Sequence, residues 1–282
     1  LKRIGFEIDK RIVGCSHRGG LDQTRYAVML RDLEADVALF RDENVPLETE
    51  DTKLGQQYAE ICGAMTVEFQ GEERTMPQMA KFLEETDRDV REQAWRLVAS
   101  RRAQDSDRMD EIFDHMVALR HRIAGNAGYD NFRDWAFTSK HRFDYGPEHC
   151  EAFHHAAETV CVPLLRELGA ERKAALGIDT LRPWDTAVDV RNRDPLRPFE
   201  DGDQFVERTS RLFHEMRGEL GSMFDGLREG DCLDLESRKG KAPGGYQYMR
   251  DRIRKPFIFM NAVGLHGDLQ TLVHEAGHAF HS

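Results

Sequence analysis

Paired cysteines are missing from this chain. Its five cysteines, Cys15, Cys62, Cys150, Cys161 and Cys232, are scattered, odd in number and never spaced C-x-x-C. That argues against a disulfide framework and for a reduced, cytoplasmic protein using them as small apolar residues. Long apolar runs are missing too: none approaches the roughly 20 residues of a membrane-spanning helix. No secretory signal is visible at the start. Basic charge is in short supply, with 40 Lys and Arg against 51 Asp and Glu and a formal charge of −11. The basic residues are interleaved with acids, and residues 250–255 come nearest to a cluster. Binding nucleic acid through phosphate neutralisation is therefore excluded. Neither nucleic acid nor membrane is expected as a partner. Internal repeats and low-complexity tracts are also lacking. The first residue is Leu1 and the last lies just past a histidine-rich turn, so the chain is expected to be an internal segment of a larger molecule.

What is present is helical patterning. A chain of 282 residues, 32% charged and 40% hydrophobic, fits a globular protein rich in surface helices. Residues 4–17 alternate loosely and read as short strands or an extended lead-in. Residues 21–42 carry Tyr26, Met29, Leu30, Leu33, Val37 and Phe40 at helical spacing, and the Asn44-Val45-Pro46 stretch breaks that helix. A second helix is predicted over 50–64, then a hairpin from Thr66 to Met76 and a short helix over 78–82. Asp87 reads as an N-cap for a helix carrying Val90, Ala94, Trp95 and Val98. The period resumes from Ile112 to Ile123, and a short aromatic helix covers 131–137. Pro147 opens a long helix with Phe153, Ala157, Val160, Leu164, Leu165 and Leu168 as its expected buried stripe, kinked at Pro163. Residues 177–201 read as an ordered loop. A helix follows on Phe205, Leu212, Phe213 and Met216, then a strand over 232–235, a flexible loop over 240–245, a strand over 256–260 and a last helix from about Asp268.

That last helix carries His274-Glu275-Ala276-Gly277-His278, an H-E-x-x-H pattern. Residues four apart share one helix face, so both imidazoles can point at one ion. Glu275 is turned about a quarter of a turn away and can reach a water held at the ion without ligating it. Two nitrogen ligands, an open position and a carboxylate base are what a zinc hydrolase needs. Leu269, Leu272, Val273, Ala276 and Phe280 would hold the histidines on a buried helix. His281 shares their face but lies about 10 Å from His274 by helical rise, so it reads as a non-ligand. His115, His121, His154 and His155 read as solvent-facing or packing residues. His266 can line a cleft.

At these residues the chain resembles the M3 family of zinc metallopeptidases, specifically its oligoendopeptidase F-like branch, relatives of thimet oligopeptidase. The resemblance rests on residues 271–281, on the stretch from Arg238 to Tyr246 with its Lys-Ala-Pro-Gly-Gly core, and on the strand of residues 256–261. Residues 63–68, 87–91 with Trp95, and 126–134 extend it over most of the chain. It implies a mainly α fold, a large helical peptidase fold with a small β-sheet next to the H-E-x-x-H helix. Residues 1–65 would end an N-terminal lobe, 66–230 form a helical lobe, and 231–282 begin the catalytic zincin region.

The resemblance further implies one Zn²⁺ on His274 and His278, with a third ligand, a glutamate, beyond Ser282. Glu275 would be the general base in hydrolysis of short peptides. Gly244, Gly245, Tyr246, Phe259, Asn261 and His266 are the candidate substrate contacts, the strand over 256–261 serving as an edge against which a peptide pairs. The missing C-terminal part of the same protein is the expected partner. Two other readings stay open, a peptide-binding scaffold segment without catalysis and a different helical zinc carboxypeptidase.

Overall fold

Residues 4–17 do not form strands. The computed structural model, which describes residues 2–282, has helix α1 at Lys2–Val13. Ile4, Ile8 and Ile12 satisfy a period of two and of four alike, so the spacing is ambiguous; Phe6 settles on Phe40, ring on ring at 4.0 Å. Helix α2, Ala27–Leu39, starts later than predicted, because the Asp22 carboxylate first caps a turn by accepting the Thr24 and Arg25 amides. Asn44-Val45-Pro46 breaks α2 but also opens α3, Asn44–Ala64. A proline in the first turn costs no hydrogen bond, since that N–H would be unpaired.

The predicted hairpin is β1, Thr66–Phe69, with β2, Glu72–Thr75, antiparallel. Helix α4, Met76–Ala80, is capped by Thr75, and α5, Arg88–Ala103, by Asp87, whose carboxylate accepts the Asp89 and Val90 amides. Helix α6 is Ser106–Asn126, α7 is Phe132–Ser139 and α8 is Pro147–Ala156. A π turn at Ala157–Cys161 then leads into α9, Val162–Ala175. The turn loosens the ladder just before Pro163, which has no N–H to offer it. The stripe expected to be buried here is not: Phe153 is 72% exposed, Val160 66% and Leu165 64%. Helical spacing shows which residues share a face, not whether anything covers it.

Helix α10, Gly202–Met216, is followed by an unforeseen helix, α11, Gly218–Glu229. Strands β3, Leu233–Glu236, β4, Tyr246–Arg250, and β5, Lys255–Ala262, form one sheet in the order β3-β5-β4. β3 runs parallel to β5, and β4 antiparallel to it. Helix α12, His266–His281, closes the chain. Among the described residues no helix is long and apolar enough to cross a membrane.

Two compact units result. One comprises residues up to 58 with 107–167, the other residues 59–106 with 168–282. In the first, Leu30, Leu39, Leu47, Leu54, Leu119 and Ile123 are buried. Asn44 is buried there too, donating to the Ile123 carbonyl at 3.0 Å and accepting from Asn126 at 2.7 Å. In the second, one apolar cluster joins Phe69, Met79 and Ala94. A larger one joins Phe205, Phe213, Phe224, Leu227, Cys232, Leu235, Ile258 and Met260 to Leu272, Ala276 and Ala279 of α12. The loop over 177–201 is ordered as expected: Trp184, Asp185, Val188 and Phe199 are buried.

Candidate active site

Helix α12 is fixed at its start by Asp268. One carboxylate oxygen accepts three successive amides, Val263 at 2.8 Å, Gly264 at 2.9 Å and Leu265 at 2.8 Å. An acid in the first turn satisfies free N–H groups and suits the helix dipole. One face of the helix, Leu272, Ala276 and Ala279, is buried in the larger core, and Phe280 meets Phe213 edge-on at 5.1 Å. The helix is thus a rigid platform, and what it turns outward is held in place.

His274 and His278 are on the exposed side. Their Nε2 atoms are 3.1 Å apart and their rings are nearly perpendicular, 87°, with centroids at 4.6 Å. Two nitrogens each about 2.0–2.1 Å from a tetrahedral zinc ion would be about 3.3 Å apart. The pair therefore fits a shared ion. Among the described residues no third His, Cys, Asp or Glu joins them. Glu275 is 9% exposed, and its carboxylate has no side-chain partner among the described residues. Its carboxylate oxygens are not among the enclosed, unpartnered polar atoms of the described residues, so water can reach them.

β5 was expected to be the edge strand beside this helix. It is instead the central strand, paired on both sides, and β3 and β4 are the edges. The sequence hid this because β4 is short and rich in polar and tyrosine residues, while β5 has the long apolar run. β4 and the glycine just before it meet α12 on either side of the histidine pair. A Cβ on Gly245 would lie 3.4 Å from the Thr271 methyl, and Gln247 donates to Ser282 at 3.1 Å.

The other candidate contacts are distributed as follows. Side chains alternate along a strand, and Ile258, Met260 and Ala262 face the core with α12. Phe259 and Asn261 therefore face the opposite side of the sheet. Tyr246, opposite Phe259 in the ladder, stacks on it at 4.9 Å. Tyr246 and Phe259 thus form an aromatic face turned away from α12. Asn261 donates to the Ala242 and Gly244 carbonyls, both at 2.9 Å, and so fastens the glycine loop. Gly244 has φ +97°, a conformation costly for any other residue. His266 is exposed at the first residue of α12, about 12 Å along the axis from His274.

Sequence reasoning passed over Asp268, Asp234 and Lys241. Arg238 forks onto Asp234 at 2.6 and 2.8 Å, and this pairing, with Lys241 beside it, holds the Asp234 carboxyl down to about 2. Burial pushes the Lys241 ammonium below its ordinary value, with Asp234 opposing. The only available signal was an acid three residues into a helix and an Asp four residues before an Arg.

A model of peptidase family M3 matches residues 81–282. The chain belongs to peptidase family M3. This M3 chain is 28% identical over 209 residues to an oligoendopeptidase F homolog of Lactococcus lactis subsp. lactis, a match covering 72% of the chain and 32% of that protein. It is 27% identical to the plasmid oligoendopeptidase F of Lactococcus lactis subsp. cremoris, with the same coverage. Among solved structures, PZ peptidase A with an inhibitor superposes with a TM-score of 0.93 at 29% identity, covering 99% of the chain and 50% of that structure. The chain spans about a third of the length of these curated relatives. The mainly α fold with a small sheet beside the H-E-x-x-H helix is the fold of these neighbours.

Proposed function

We propose that this chain carries the metal-binding helix and peptide-docking strand of a cytoplasmic, zinc-dependent endopeptidase that hydrolyses short oligopeptides. The observation that carries the reading is the convergence of His274 and His278, 3.1 Å apart, with Glu275 on the next position of the same helix. Membership of the M3 family and likeness to oligoendopeptidases support it.

In this reading residues 231–282 begin the catalytic region, and the third ligand is a glutamate beyond Ser282. Zinc bound there supplies Lewis acidity and lowers the pKa of water in the site. His274 and His278 hold the ion on a helix whose other face is locked in the core. Glu275 takes the proton of the attacking water and passes it to the leaving amine. The outer edge of β4 pairs with no other strand among the described residues, so an extended peptide can add to it through backbone hydrogen bonds. Gly244 and Gly245, at its start, let a second backbone come close.

The test is Glu275→Gln in the whole protein, which carries the third ligand, assayed with zinc on an internally quenched short peptide. Turnover falls about 10²- to 10⁴-fold, the usual worth of a general base, while bound zinc is unchanged. Undiminished cleavage refutes the assignment. A second reading, a peptide-binding segment without catalysis of its own, is favoured by the absence of a third ligand among the described residues. It predicts peptide binding by the chain without tight, stoichiometric zinc.

A further inference from the structure

The strap between β3 and β4 has little regular structure, yet it is tied down along its length. At its centre Lys241 points inward. Its side chain is 1% exposed. The ammonium donates to the Asp234 carboxylate at 2.9 Å, the Asp234 carbonyl at 3.0 Å and the Glu236 carbonyl at 2.9 Å. Lysine has three donors, and all three are used. The same ammonium lies 4.5 Å from the centroid of Phe259, a cation over a ring face and largely out of water.

The strap is also held by its backbone. Gly240 donates to the Gly63 carbonyl at 2.8 Å, and a Cβ on Gly63 would come within 2.7 Å of the Lys241 carbonyl. Beyond Lys241, Asn261 fastens the carbonyls of Ala242 and Gly244. Phe259, under the ammonium, stacks on Tyr246, the first residue of β4. Lys241 thus joins the end of β3 to the beginning of β4. A lysine is rarely buried without a compensating role, and burying it costs more than an apolar residue would. Here the cost is met where the strap delivers the chain to the strand that passes the histidine pair.

We infer that Lys241 is a positioning residue for peptide engagement, fixing the Gly244, Gly245 and Tyr246 entrance of β4 so that a peptide can add to that strand. This rests on β4 being the docking edge, as proposed above. Lys241 itself touches neither peptide nor metal.

The experiment is amide hydrogen exchange on the 282-residue chain with Co²⁺ and a synthetic nine-residue peptide, comparing the parent with Lys241→Met. In the parent, the peptide slows exchange in residues 246–250. In Lys241→Met, residues 242–246 exchange about 10- to 100-fold faster, the loss of a charge-assisted contact. Peptide protection disappears, and the Co²⁺ absorption spectrum is unchanged. A residue with a purely structural role would loosen α12 in the same proportion and alter that spectrum. Asp234→Asn, which keeps shape and weakens the same anchor, gives a smaller change in the same amides and carries the test should Lys241→Met fail to fold. A parent that is protected and variants equally protected overturn the inference and leave the docking reading standing. A parent without protection overturns the docking reading and this inference with it.

Discussion

Replacing Asp185 by asparagine removes one charge from a fully buried site at almost no change of volume. Asp185 is 0% exposed. Its carboxylate accepts from Arg88 at 2.9 and 2.8 Å, from Arg91 at 3.1 Å and from the Arg182 amide at 2.9 Å. Arg91 is itself buried, and its remaining donors go to the Trp184, Glu85 and Thr86 carbonyls. The amide of asparagine would set N–H groups against guanidinium donors and leave a buried cation unpaired. Breaking a buried pair in this way costs about 3–5 kcal/mol.

The pH dependence gives a second figure. The Arg88 guanidinium, chiefly, holds the Asp185 carboxyl from its ordinary 3.8 down to about 2. A folded-state value below the unfolded one stabilises above pH ~4, and that stability is lost as pH falls through ~2, about 2 kcal/mol in all. The assay is urea unfolding followed by tryptophan fluorescence; Trp95 and Trp184, 5.5 Å apart, report on the same unit. Asp234 titrates in the same window, but parent and variant share it, so their difference isolates Asp185. A loss below about 1 kcal/mol at neutral pH, or equal acid sensitivity in the two proteins, refutes the reasoning.

Other outcomes follow from the same geometry. Gly63→Ala drives a Cβ into backbone at 2.7 Å and destabilises by about 1–3 kcal/mol, despite the better helix propensity of alanine. Gly267→Ala, with nothing within 4 Å of its new carbon, is neutral or stabilises by up to about 1 kcal/mol; paired urea titrations compare the two. Asp268→Ala strips the acceptor from three amides and costs about 2–3 kcal/mol. Its amide exchange should accelerate first over residues 263–270.

What could be read in the sequence was what is written locally. The cap at Asp87, the hairpin that begins at Thr66 and the placement of His274, Glu275 and His278 on one helix depend on neighbours within a turn or two. What could not be read depends on distant chain. Whether the stripe from Phe153 to Leu168 is covered is decided by what packs on it, and β5 being central depends on β3 and β4 both finding it. The inward turn of Lys241 depends on Asp234, seven residues away, and on a carbonyl at Glu236. Strand β4 was passed over because tyrosines and glutamine on a half-exposed edge carry no apolar run.

The central claim is that α12 presents one metal site through two imidazoles. X-ray absorption on the zinc-loaded chain, with titration of the ion, tests it most directly. The account predicts one Zn²⁺ per chain with two imidazole nitrogens at about 2.0–2.1 Å, and loss of that ion in His274→Ala and in His278→Ala. A zinc shell without imidazole nitrogen, or undiminished binding by the doubly substituted chain, would contradict it.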